Sequence, residues 1–152
     1  MRAGQSVKAT ENWNAALSSA QEIKGPISQA DVLMSIVLDQ ATGGQVAEAL
    51  RTAQKITDSQ FHAHALGSIA EAQAAAGNFA EALRTVQNIG DQGDEKFRSS
   101  ALRSIAFAQA KAHQWRVARK TVALCLARDR LGAYTAILTE YAKANNPKLK
   151  HL

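Results

Sequence analysis

Gly44-Gln-Val-Ala-Glu-Ala-Leu-Arg-Thr-Ala-Gln-Lys-Ile56 is answered 33 residues later by Gly77-Asn-Phe-Ala-Glu-Ala-Leu-Arg-Thr-Val-Gln-Asn-Ile89. A weaker copy runs from Asn12 to Ile23, again 33 residues away, and another from Gln114 to Cys125 after a longer step of 36. Self-similarity at such a period marks an array of supersecondary units, none of which can bury its apolar face alone. Within the copies the apolar columns are Trp13, Val46, Phe79, Trp115; Ala16, Ala49, Ala82, Ala118; Ala20, Ala53, Val86, Val122; and Ile23, Ile56, Ile89, Cys125. Steps of three and four residues between columns place them on one face of a helix. Cys125, the only cysteine, reads as a small core residue in an isoleucine column.

Working outward, the segments between the copies also align. Leu33, Leu66 and Leu102 form one column and Ile36, Ile69, Ile105 and Leu138 another, so each copy has a partner helix. The spacing predicts helices over 10–23, 27–42, 45–56, 60–76, 79–89, 95–112, 115–127 and 130–145. Gly43-Gly44 and Gly77-Asn78 supply turn residues tolerant of positive φ, and His113 occupies the same turn position in a later copy. The stretched period is explained by extra residues in Gly90-Asp-Gln-Gly-Asp94, expected on a loop. The fold predicted is all-α, about four antiparallel helical hairpins stacked as a solenoid. Residues 1–9 are expected to form an N-terminal tail, 10–146 a single repeat domain, and 147–152 a basic C-terminal tail.

Composition agrees with this pattern. At 152 residues, with 46% hydrophobic and only 5% aromatic side chains, the chain suits one alanine-rich helical domain. Pro26 and Pro147 fall between helices and after the last one, where a missing amide hydrogen does least harm. No run approaches the roughly 20 apolar residues a membrane span needs, and Met1–Asn12 is too polar for a signal-peptide core. We therefore expect a soluble cytoplasmic protein that engages no membrane. Through Ala76 five Lys or Arg stand against seven Asp or Glu, a balance of −2, whereas from Gly77 on thirteen stand against six, a balance of +7. Arg116, Arg119, Lys120, Arg128 and Arg130 make much of the second excess, a candidate basic patch for nucleic acid or acidic protein.

The set Gly77, Phe79, Ala82, Leu83, with Leu66, Ile69 and Ala70 in the preceding helix, resembles the tetratricopeptide repeat, and the likeness extends over about residues 12–146. The resemblance implies a right-handed superhelix whose first helices line a concave groove for a protein or peptide partner. It places in that groove Met34, Leu38 and Phe107 as apolar anchors, Glu71, Arg103 and Glu140 as orienting charges, and His64 and Lys143 beside them. Two departures stand out. The family's aromatic in the first helix is replaced by Gln40, Gln73 and Gln109, with Ala142 closing the column, and we expect these amides to form a hydrogen-bonded ladder within the stack. The chain also opens on a second-type helix at Trp13, leaving Trp13 and Leu17 short of cover, and finishes on a lone first-type helix that resembles the family's solvating cap.

Chemistry beyond binding finds little support. His62 and His64 point to different helical faces, and no zinc-type, phosphate-loop or dinucleotide spacing is present. We therefore expect no catalytic residue, no metal and no cofactor. Gly44-x-x-x-Glu48-Ala-Leu and its copy also resemble the pentatricopeptide repeat, which reads single-stranded RNA. The corresponding column of Met34, Gly67, Arg103 and Ala136 lacks the small polar residues such a code needs. A third expectation is self-association through the N-terminal edge.

Overall fold

The computed structural model describes residues 2–90 and 95–146, with side chains from Asn12 onward. Among these residues the chain forms eight α-helices and no strand: α1 (Arg2–Gln21), α2 (Pro26–Thr42), α3 (Val46–Ala53), α4 (Ser59–Ala75), α5 (Phe79–Gln87), α6 (Glu95–Lys111), α7 (Trp115–Ala123) and α8 (Ala127–Asn145). Helix α1 starts at Arg2, so the segment expected as a tail over residues 1–9 is helical from its second residue. Most of the expected insertion, 91–94, and the basic tail 147–152 lie outside the described residues.

Local chemistry accounts for the helix ends. Pro26 opens α2, where its missing amide hydrogen has no intrahelical partner to lose. The Asp58 carboxylate caps α4 by accepting from the amides of Gln60 at 2.9 Å and Phe61 at 3.0 Å. The turns after α2, α4 and α6 share one design. The amides of Gln45, Asn78 and Gln114 donate to the carbonyls of Gln40, Gln73 and Gln109, and those of Gly44, Gly77 and His113 donate to Ala41, Ala74 and Ala110. This paired bonding forces the middle residue into the left-handed region, with φ of 79° at Gly44, 83° at Gly77 and 60° at His113. Only His113 carries a side chain there.

Each even-numbered helix packs on the next, α2 on α4, α4 on α6 and α6 on α8, and each odd-numbered helix packs only on its even neighbours in the chain. Among the described residues no two odd-numbered helices pack together. The core runs as a succession of clusters along the chain. Ile69 and Ala65 lie in one, Ile105 and Val86 in the next, and Ala118, Val122 and Ile137 in the last. Buried alanines such as Ala65, Ala70, Ala101 and Ala106 keep the helix surfaces flat, so that neighbours approach closely.

The three glutamines are buried, as their column requires, and the bonds they make correct the expected ladder. The hydroxyls of Thr52, Thr85 and Thr121 donate to Oε1 of Gln40, Gln73 and Gln109, each at 2.8 Å and each within one hairpin. Each pair spans twelve residues, from the end of an even helix to the following odd one. The glutamine backbone carbonyl holds the turn while its side chain holds the next helix. Gln109 differs in one respect: its Nε2 is buried with no hydrogen-bond partner.

Helix α8 is a second correction. Leu138, expected in the core column, is 64% exposed, and the buried residues are Ala133 and Ile137, with Tyr134 packed against them. Helix α4 begins three residues after Ile56 but α8 begins two after its counterpart Cys125, so the buried face of α8 falls one residue early. Tyr141, not Ala142, thereby follows Gln40, Gln73 and Gln109 in their column. Nor is α8 a polar cap, since Leu131 is 78% and Tyr141 48% exposed. At the other end Trp13 and Leu17 are half-buried, with Leu17 packed against the first core cluster.

Candidate functional site

Successive packing of the even-numbered helices lays their free faces side by side, and most of the expected groove residues stand there. Phe107 on α6 is 38% exposed, a cost for an aromatic ring that the helix register imposes because α6 buries Ile105, Ala106 and Gln109 instead. It lines a cavity of about 560 Å³ between the α4–α5 turn and α6, together with Glu71, Ser104, Gly77, Phe79 and Lys111. Lys111 Nζ lies 5.6 Å from the Phe107 ring centroid, and the Ser104 hydroxyl donates to Glu71 across the α4–α6 seam at 3.0 Å. Anionic, cationic and aromatic groups thus meet in one depression.

The remaining groove residues are distributed around this centre. Leu38 is exposed on α2, but Met34 turns inward and packs against the core, so it is no free anchor. His64 stacks on Phe97 with ring centroids 5.1 Å apart, and Lys96 Nζ lies 4.7 Å from the Phe97 centroid. Arg103 is exposed on α6. Glu140 and Lys143 approach each other at 4.0 Å and line a separate cavity of about 420 Å³ with His113 and Trp115. Phe97 aligns with Phe61 at the same offset of 36 that pairs Leu66 with Leu102, a repeated aromatic that the column reading passed over, while Lys96 aligns with Gln60 and carries no such signal. Lys111 precedes a turn and reads as an ordinary solvated charge.

The basic residues Arg116, Arg119, Lys120, Arg128 and Arg130 are all exposed. Arg116 and Arg119 rim a cleft of about 430 Å³ between α7 and α8, whereas Arg130 lines a different cavity of about 530 Å³ beside Cys125 and Leu102. Lys120 and Arg128 are exposed outside both clefts. The Arg130 guanidinium donates to the Cys125 carbonyl at 3.0 Å, so it also ties α8 to the connection that precedes it. Burial raises the Cys125 thiol above its ordinary pKa, an effect that a hydrogen bond with Ser99 opposes. The sulfur therefore stays in its weakly nucleophilic protonated form at neutral pH. Among the described residues no three His, Cys, Asp or Glu side chains are grouped to hold a metal ion, and no helix is long and apolar enough to cross a membrane.

Comparisons with protein-family models, curated proteins and solved structures yield no match.

Proposed function

We propose that the chain is a protein-interaction module, a right-handed solenoid of tetratricopeptide type that binds a partner peptide along its even-numbered helices. Curvature follows from the packing: a row in which even helices touch and odd helices do not must bend with the even side inward. That side becomes a groove. The observation that carries the binding reading is the 38%-exposed Phe107 in its cavity, with Glu71 and Lys111 within the same lining. An exposed aromatic with an acidic and a basic side chain in the same lining has the composition of a binding hot spot.

A photo-crosslinking residue placed at Phe107 should capture a partner that the same residue at Arg128 does not. The double variant Phe107→Ala, Arg103→Glu should weaken that partner at least about tenfold, the scale of one lost hot spot. Unchanged capture by the double variant would end the groove reading.

A further inference from the structure

Helix α8 and helix α1 are opposite halves of a hairpin. Helix α8 packs on α6 and α7, as an even helix does before an odd helix closes it, and α1 packs on α2 alone. The outer face of α8 carries Leu131, Leu138 and Tyr141. At the matching positions of α6 stand Ser99, Ala106 and Gln109, all buried. The residues that an inner helix hides are small, and those that α8 leaves in water are large and apolar. Leaving Leu131 and Leu138 in water, with Tyr141 covered only by an edge contact with Trp115 at 5.2 Å, is unfavourable by about 25 cal/mol for each Å² of apolar surface. Leu138 and Tyr141 line the cleft between α7 and α8, with Ile137 and Tyr134 beside them and Arg116 and Arg119 at the α7 side.

Helix α1 shows the complementary surface. Ala16 and Ser19 occupy the positions of Ala49 and Thr52 in α3, which are buried, with Thr52 bonded to Gln40 of α2, yet Ser19 is exposed and Ala16 only half-buried. Small side chains on α1 match large ones on α8.

We infer that α1 of a second copy docks on the outer face of α8, closing between molecules the hairpin that α2–α3, α4–α5 and α6–α7 close within one. The contact is heterologous, so each copy offers one free α1 and one free α8 and assembly proceeds head to tail. It uses the end of the row and leaves the Phe107 cavity open, so it stands independently of the groove.

The test is sedimentation velocity on the full chain over a wide concentration range, with variants that block one end each. Wild type should at least double its weight-average mass as concentration rises. Leu138→Glu disables α8 as acceptor and Ser19→Arg disables α1 as donor; each alone should remain monomeric. Mixed together, they should form a one-to-one dimer and stop there, because only one productive pair of ends remains. Both sites are exposed, and unchanged helicity by circular dichroism confirms folding; if either variant unfolds, Leu131→Lys or Ala15→Arg takes its place. A wild type that stays monomeric throughout overturns the proposal. So does a mixture that fails to dimerise, or a Ser19→Arg chain that assembles as wild type does, which would mean that α8 pairs with itself.

Discussion

Hairpins α4–α5 and α6–α7 share one design carried out with unequal fidelity. In the first, glycine occupies the left-handed turn position, with φ of 83° at Gly77, and the turn closes on a buried glutamine that Thr85 binds. In the second, His113 is held at φ 60°, Gln109 has a buried amide nitrogen without a partner, and Cys125 replaces isoleucine in the core. A left-handed residue other than glycine costs roughly 1–2 kcal/mol and an unpaired buried donor roughly 1–3 kcal/mol. Local imperfections of this size survive because an array shares its stability among neighbouring interfaces. The less regular hairpin is also the one flanked by the exposed Phe107, the Arg116–Arg119 cleft and the uncovered face of α8.

The largest separation between the hairpins is expected from their buried polar pairs. Thr85→Val keeps the shape of the side chain but strands the Oε1 of Gln73, and should destabilise by about 1–3 kcal/mol in chemical denaturation. Gln73→Met should cost about 1–2 kcal/mol for the same lost bond. Gln109→Met also removes a donor that is already unpaired, so its cost should fall below about 1 kcal/mol. Equal losses at Gln73 and Gln109 would show that the two hairpins are polar equals.

A smaller contrast of opposite sign is expected at the turns. Gly77→Ala should lower stability by about 1–2 kcal/mol, since the bonding of the turn fixes a positive φ. His113→Gly should raise it by up to about 1 kcal/mol: it relieves the left-handed strain but gives up backbone entropy and the edge contact with Trp115, whose ring centroid is 5.5 Å away. Thermal melts of the pair check both signs. A destabilised His113→Gly would mean that the imidazole contact outweighs the strain.

What could be read from the sequence, and what could not, divides along a physical line. The columns through Trp13, Val46, Phe79 and Trp115 were legible because a helix repeats its geometry every few residues and burial acts on that repeat. The end of α8 was not: Ile137 and Leu138 are adjacent and equally apolar, and a short connection without periodicity decides which of them faces inward. The glutamine column was visible, but its threonine partners were not, because Thr52, Thr85 and Thr121 carry polar atoms and look like solvated positions until the opposite helix is placed. Among the expected binding residues, Phe107 could be picked out because its register points away from the core. Met34 could not be separated from a true surface residue, and the stack of His64 on Phe97 depends on a segment that follows the break in the repeat.

The central claim is that the hairpins form a row, each touching only its neighbours, and distances between even-numbered helices test it most directly. Spin labels at the exposed positions Leu38 on α2, Phe107 on α6 and Thr139 on α8 sample one column of the free face. With neighbouring helix axes about 10 Å apart, pulsed dipolar spectroscopy should give a Leu38–Phe107 separation on the order of 20 Å and a Leu38–Thr139 separation on the order of 30 Å. A Leu38–Thr139 distance equal to or shorter than Leu38–Phe107 would place α8 back against α2 and contradict the row.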